Sequence, residues 1–163
     1  MNVHSVHSRE ISAPPERDVL VPVAGVAVPG ALVGLAALHA AWALGWRWPG
    51  GSDRELAERV LSGGTELPPE WATWAVALAL TGAAVVVRGA ASTEPPPLVR
   101  RLAWGVAGVF LIRGAASPPM DLIRGSDGLY ERLDLAIYSP LCLVLGAGTA
   151  ALARRGGGGS PGR

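Results

Sequence analysis

Four long apolar stretches, separated by polar or proline-rich connections, dominate the pattern of this chain. A helix needs about 20 apolar residues to cross the hydrocarbon core of a bilayer, because each residue adds about 1.5 Å. The stretches run approximately over residues 19–44, 71–87, 98–116 and 134–153. They predict an all-α integral membrane bundle of four transmembrane helices over 19–153, with a disordered tail at 1–18 and a flexible tail at 154–163.

The first stretch contains two features that affect helix packing. Pro29 lies in its interior and is predicted to kink the helix or to break it near Val28, since proline lacks the amide hydrogen of the helical ladder. Gly30 and Gly34 form a GxxxG pair, which lets another helix approach the backbone closely. We therefore expect a helix–helix contact on this face.

The third stretch is the least apolar, because only 102–112 is free of charge. Those residues rise about 17 Å as a helix, which is short for a span. We expect the helix to continue past Arg113 through Ala116 and to stop at Pro118 and Pro119. Arg113 is then the cation that lies deepest in the membrane, where a charge at the helix centre costs about 2.5 to 3.5 kcal/mol unless it is paired.

The connection between the first two stretches contains a further helix signal. Ser52 and Glu55 match the capping box S-x-x-E ahead of an apolar pattern. They predict a short amphipathic helix in the first outer loop, on the membrane surface or over the bundle. Gly63 and Gly64 are expected to end it.

Composition agrees with a membrane protein, since 50% of the residues are hydrophobic and 17% are charged. A net charge of +1 gives no reason to expect a nucleic-acid partner. Cys142 is the single cysteine, which excludes an internal disulfide and every multi-cysteine metal site. No catalytic signature is present, and one intramembrane histidine has no second ligand for haem. We expect no metal and no cofactor, and the sequence favours a protein that is not an enzyme.

The distribution of arginine predicts the orientation of the four helices. With four crossings, eight arginines lie on the side that holds both termini and six on the other side. Because positive charge is retained in the cytoplasm, we place both termini there, in the cell membrane. Nine of the 13 acidic residues then lie in the two outer loops or at their helix ends.

Several polar residues converge on the outer leaflet in this topology: His39, Trp42, Arg113, Asp134 and Tyr138. A cation and an acid at this depth are costly unless they pair, so we expect an ion pair between Arg113 and Asp134. His39 and Tyr138 have matching depth and could reach each other. The cluster either fixes the register of the helices or forms a ligand pocket that opens outward.

Three segments carry a resemblance to a known family: HAAWALGW (39–46), FLIRG (110–114) and ERLDLAIYSPLCLVLG (131–146). They resemble the domain of unknown function 3995 family of uncharacterised bacterial membrane proteins, over roughly 36–153. That family has four membrane helices, with an HxxWALGG-like motif in the first and a D-x-x-x-YSPLC motif in the last. Trp46 stands where the second glycine of the first motif is expected. The resemblance implies the architecture and points to His39, Trp42, Arg113, Asp134, Tyr138, Ser139, Pro140 and Cys142, but it supplies no activity.

These observations leave two functions open. The first is a non-enzymatic scaffold or accessory membrane subunit, because catalytic signatures are missing and the GxxxG face offers a site for helix association. The alternative is a ligand-handling protein, either an enzyme or a carrier for a small lipophilic or ionic substrate, that uses the outer polar cluster. The partners we expect are the lipid bilayer and either a second copy of the chain or another membrane protein.

Overall fold

The computed structural model describes residues 17–63, 66–124 and 128–155, and this part of the chain contains helices and no strand. The predicted all-α class is therefore confirmed for the described residues, while most of both predicted tails lies outside them. The helical elements are α1 (Arg17–Ala43), α2 (Asp53–Val60), α3 (Glu70–Ala90), α4 (Pro97–Arg124), α5 (Leu129–Leu133), a π-helical turn (Asp134–Tyr138) and α6 (Ser139–Arg155).

The long helices form two closely packed pairs, α1 with α3 and α4 with α6. Apolar side chains that are spaced three and four residues apart on α1 face the other helices, as helical periodicity requires. The core lies where α1, α3 and α6 meet, and it is built from Val28, Leu32, Ala84, Val87, Leu145 and Leu152.

Glycine allows α4 and α6 to approach closely. A Cβ atom added to Gly114 would lie 2.8 Å from Cγ of Leu143, and one added to Gly146 would lie 2.7 Å from Cγ of Leu111. Neither distance leaves room for a methyl group. These two glycines therefore set the spacing that lets side chains on α4 reach the start of α6.

Three segments of the described chain are long and apolar enough to cross a membrane, by length and composition: Pro22–Ala43, Glu70–Ala90 and Leu129–Arg155. They correspond to the first, second and fourth predicted spans. The third predicted span falls on α4, which has 28 residues but is not one of these three segments. The charges of Arg100, Arg101 and Arg113 lower its hydropathy.

The expectation that Pro118 and Pro119 end the third helix is wrong, because α4 continues past both to Arg124. The helix also does not break near Val28, since α1 runs through Pro22 and Pro29; a kink at Pro29 stays a prediction. Each proline removes one backbone hydrogen bond of the helix. The other hydrogen bonds and the packing of the rest of the helix can keep the segment helical. In α4, Arg113 Nη1 also donates to Oγ of Ser117 across the turn before the prolines.

Ser52, the first residue of the predicted capping box, caps the start of α2. The Ser52 hydroxyl accepts a hydrogen bond from the Glu55 amide at 3.3 Å, and α2 buries Leu56 and Ala57. Because α2 packs against α5, it lies over the bundle, which is one of the two predicted positions. The helix ends at Val60, before Gly63, and Gly64 lies outside the described residues.

Candidate functional site

The candidate site begins at the π-helical turn that directly precedes α6. The Ser139 amide donates to the Asp134 carbonyl, five residues earlier, where an α-helix would bond residues four apart. Pro140 gives a physical reason, because its ring would clash with the carbonyl of Ala136 in a regular α-helix. Widening the turn before the proline relieves that clash. It also changes which side chains share a face.

The Asp134 carboxylate is fully buried, with an exposed fraction of 0%. Its Oδ1 atom lies 2.7 Å from Nη2 of Arg113, and its Oδ2 atom accepts a hydrogen bond from the Ser139 hydroxyl at 2.7 Å. The Tyr130 hydroxyl approaches Oδ1 at 3.5 Å. The predicted ion pair is therefore present, and both carboxylate oxygens have donors. We call Arg113, Tyr130, Asp134 and Ser139 the carboxylate cluster.

Arg113 connects α4 to the two elements that precede α6. Besides its contact with Asp134, Nη2 donates to the Tyr130 hydroxyl at 2.8 Å, while Nη1 donates to Ser117. A planar guanidinium is well suited to such a set of fixed acceptors. The arrangement pairs the buried carboxylate with a positive charge and links α4 to the residues that lead into α6.

Tyr138 faces a different partner. Its hydroxyl donates to the Arg59 carbonyl at 3.2 Å, and its ring contacts that of Tyr130 with 6.2 Å between centroids. In a regular α-helix Tyr138, rather than Ser139, would lie one turn after Asp134. The side chain that donates to the Asp134 carboxylate is therefore that of Ser139, while Tyr138 forms a hydrogen bond with α2.

His39 and Trp42 lie apart from the carboxylate cluster. Nδ1 of His39 lies 2.8 Å from the Leu35 carbonyl, and its ring is 5.0 Å from that of Trp42. The Trp42 indole nitrogen donates to the Trp48 carbonyl at 2.8 Å. His39 and Tyr138, which were expected to be able to reach each other, make no described contact with each other, and each side chain has a different partner. Equal depth along two helices does not bring side chains together when each faces another neighbour.

The other residues that the family resemblance pointed to are Ser139, Pro140 and Cys142, which lie in the first turns of α6. Ser139 is buried and Pro140 is exposed at the start of α6, while Cys142 is a partly buried free thiol. Within the described ranges, no group of three or more histidine, cysteine or acidic residues is arranged to hold a metal ion. Sequence reasoning missed Tyr130 and Ser117 as contacts of Arg113. Their only signal was their proximity in sequence to Asp134 and Arg113.

Comparison with known protein families identifies a family to which the chain is similar. Residues 32–149 match the family described as Protein of unknown function (DUF3995). No curated protein matches the chain, and no solved structure does. The matched region contains His39 and the whole carboxylate cluster, and it covers more than half of the sequence. The chain therefore belongs to the DUF3995 family.

Proposed function

We propose that this chain is a four-span protein of the cell membrane, with both termini in the cytoplasm, that acts as a non-enzymatic scaffold or accessory subunit for another membrane protein. The observation that carries the proposal is an exposed seam of small and β-branched residues along α1. Three further features support it: the composition of α4, the internal pairing of the carboxylate cluster and the distribution of arginine.

The fourth crossing is assigned to α4. Its 28 residues extend about 42 Å at 1.5 Å per residue, which is longer than a bilayer core of about 30 Å. Between Leu102 and Pro119 its single charged residue is Arg113, whose charge is balanced by Asp134. Val109 and Ile112 are 68% and 70% exposed and give α4 an apolar outer face. A paired cation costs less in the membrane than an isolated one.

The seam on α1 consists of exposed residues at intervals of three and four: Val23, Val26, Ala27, Gly30, Val33, Gly34 and Ala37. A Cβ atom added at Gly30 or Gly34 would meet nothing within 4 Å, so both glycines are open to a partner. Lipid tails are as apolar as these side chains, and association in a membrane therefore depends on close packing of small residues. A transmembrane helix of another protein fits this surface.

The carboxylate cluster supports a structural role over a catalytic one. Arg113 and Ser139 satisfy both oxygens of Asp134 from within the chain, and the carboxylate is closed to solvent. A general base needs hydrogen-bond reach to a substrate proton. This carboxylate already has its donors, and the cluster holds α4 and α6 in one register.

The test is purification of the chain from its own membrane in mild detergent, followed by mass spectrometry of bound proteins, lipids and small molecules. We compare the wild type with Gly30→Leu/Gly34→Leu and with the matched control Gly82→Leu, which changes an equally open glycine on α3. We expect a stoichiometric partner protein that is lost only from the α1 variant. If no partner is stoichiometric, or if the α1 variant keeps it, the scaffold role is wrong. A retained metabolite without a stoichiometric partner protein would support the ligand-handling alternative.

A further inference from the structure

A second feature of the molecule is a cleft between the end of α1, α2 and the start of α3. Its volume is about 640 Å³, which is within the usual range for small-molecule sites. His39, Trp42, Arg47, Leu56, Glu66 and Glu70 are among the residues that line it. The cleft does not include the carboxylate cluster, and a ligand here goes beyond the proposed scaffold function.

The cations of the cleft already have partners. Arg47 forms an ion pair with Asp53, and its Nη1 donates to the Trp42 carbonyl at 2.9 Å. Arg54 pairs with Glu58 at 2.9 Å. An anionic ligand would have to compete with these carboxylates for both guanidinium groups. The arrangement therefore disfavours anions.

Two of the acidic residues that line the cleft have no positively charged partner among the described residues. Glu66 and Glu70 both line it, and neither forms an ion pair among the described residues. Oε1 of Glu70 accepts a hydrogen bond from the Trp74 indole at 3.3 Å, which leaves its other oxygen available. Once the two arginine pairs are counted as neutral, the lining carries the charge of these two carboxylates. That charge favours a cation.

His39 and Trp42 add two further groups that suit a cation with N–H donors. Because Nδ1 of His39 faces a carbonyl oxygen, that nitrogen carries a hydrogen, and in a neutral imidazole Nε2 is then the acceptor. The Trp42 indole is held in place by its bond to the Trp48 carbonyl. A tryptophan ring attracts cations over its face. Acceptors and an aromatic surface thus line one cleft.

The remaining wall is apolar and includes Leu56, Val60 and Val76. We propose that this cleft binds a lipophilic amine, that is, a small molecule with an apolar body and one protonated nitrogen. The apolar body packs against the aliphatic side chains of α2 and α3. The ammonium group lies between Glu66, Glu70 and the acceptor nitrogen of His39.

The test compares three probes that share one apolar body and differ in charge: 2-phenylethylamine, 2-phenylethanol and phenylacetate. Binding to the full chain in lipid nanodiscs is measured by calorimetry, with empty nanodiscs as the blank. We expect saturable binding of the amine, weaker binding of the alcohol and none of the acid. Absence of saturable amine binding, or equal binding of phenylacetate, overturns the proposal.

A pair of variants tests the acids directly. Glu66→Gln/Glu70→Gln keeps side-chain size and an acceptor for Trp74 but removes both charges. We expect it to weaken amine binding by about tenfold or more, because the charge complementarity is lost. Glu94→Gln, which neutralises an exposed acid outside the cleft, should leave the affinity unchanged. Unfolding temperatures of all three proteins confirm folding, and wild-type affinity in the double variant overturns the proposal.

Discussion

The Ser139 hydroxyl donates to Oδ2 of Asp134 at 2.7 Å, across five residues of chain. The five-residue separation is possible because of the π-helical turn. In a regular α-helix Tyr138, four residues after Asp134, would lie next to the carboxylate, whereas the wider turn puts Ser139 there. A single serine thereby supplies the second donor that a buried carboxylate needs, while Tyr138 becomes free to bond the Arg59 carbonyl. The turn therefore permits both hydrogen bonds, from Ser139 to Asp134 and from Tyr138 to Arg59.

The bond between Ser139 and Asp134 predicts a stability loss for Ser139→Ala. The substitution removes the hydrogen bond from Ser139 to a fully buried carboxylate, which costs about 1 to 3 kcal/mol. The matched control is Thr149→Val on the same helix, because the Thr149 hydroxyl is also buried but bonds a carbonyl within its own helix. Unfolding of both variants is followed in detergent. Equal losses would mean that the hydroxyl of Ser139 has no special role.

The ion pair between Arg113 and Asp134 predicts a non-additive double variant. Arg113→Gln leaves a buried carboxylate without its Arg113 counter-charge and should lower stability by about 3 kcal/mol. Asp134→Asn removes the negative charge that Arg113 pairs with, and its loss should be smaller, because the Arg113 side chain is 39% exposed and still has Ser117 and Tyr130 as acceptors. With both charges gone, the double variant should recover part of the loss, with a coupling of about 1 kcal/mol or more. Folded yield and unfolding midpoint in detergent are the measurements. Strictly additive losses would remove the pair as a stabilising contact.

Part of this site could be predicted from sequence and part could not. The pairing of Arg113 with Asp134 follows from the cost of an isolated charge in a membrane, and that cost does not depend on the details of the helix. The role of Ser139 depends on the π-helical turn. The sequence predicted an uninterrupted helix over 134–153, and the local conflict between Pro140 and the α-helical ladder was the only sign against a regular α-helix there.

The helix boundaries could likewise be predicted from the sequence only in part. Ser52 and Glu55 predicted the start of α2, because a capping box satisfies amide hydrogens locally. Pro118 and Pro119 did not end α4, a long helix that packs against α6 elsewhere along its length. The direction in which His39 points also depends on its neighbours in space. Depth along the helix, which the sequence does provide, was insufficient to identify its partner.

The close packing of α4 and α6 predicts opposite effects for alanine at different glycines. Gly114→Ala and Gly146→Ala each place a methyl group within 2.8 Å of a leucine Cγ atom, and such overpacking costs about 1 to 3 kcal/mol. Gly105→Ala and Gly108→Ala are the controls on α4, where an added Cβ atom meets nothing within 4 Å.

Alanine in an open helix position is more favourable than glycine by about 1 kcal/mol, so the two controls should be neutral or stabilising. Unfolding midpoints of the four variants in one detergent provide the comparison. If Gly146→Ala unfolds at the same midpoint as Gly105→Ala, the two helices are farther apart than described here.

The assignment of α4 as the fourth crossing predicts a pattern of reporter activity. Fusions after Gly63, Glu94, Ser126 and Gly158 are made separately to alkaline phosphatase, which is active outside the cytoplasm, and to a fluorescent protein that matures inside it. With four crossings, we expect phosphatase activity at Gly63 and Ser126, and fluorescence at Glu94 and Gly158. If α4 lay on the membrane surface, the chain would cross three times, and both Ser126 and Gly158 would exchange sides. Phosphatase activity at Gly158 together with fluorescence at Ser126 would therefore reject α4 as a span. The Gly63 and Glu94 fusions both precede α4, so their reporter activity is the same in either case and they serve as internal controls.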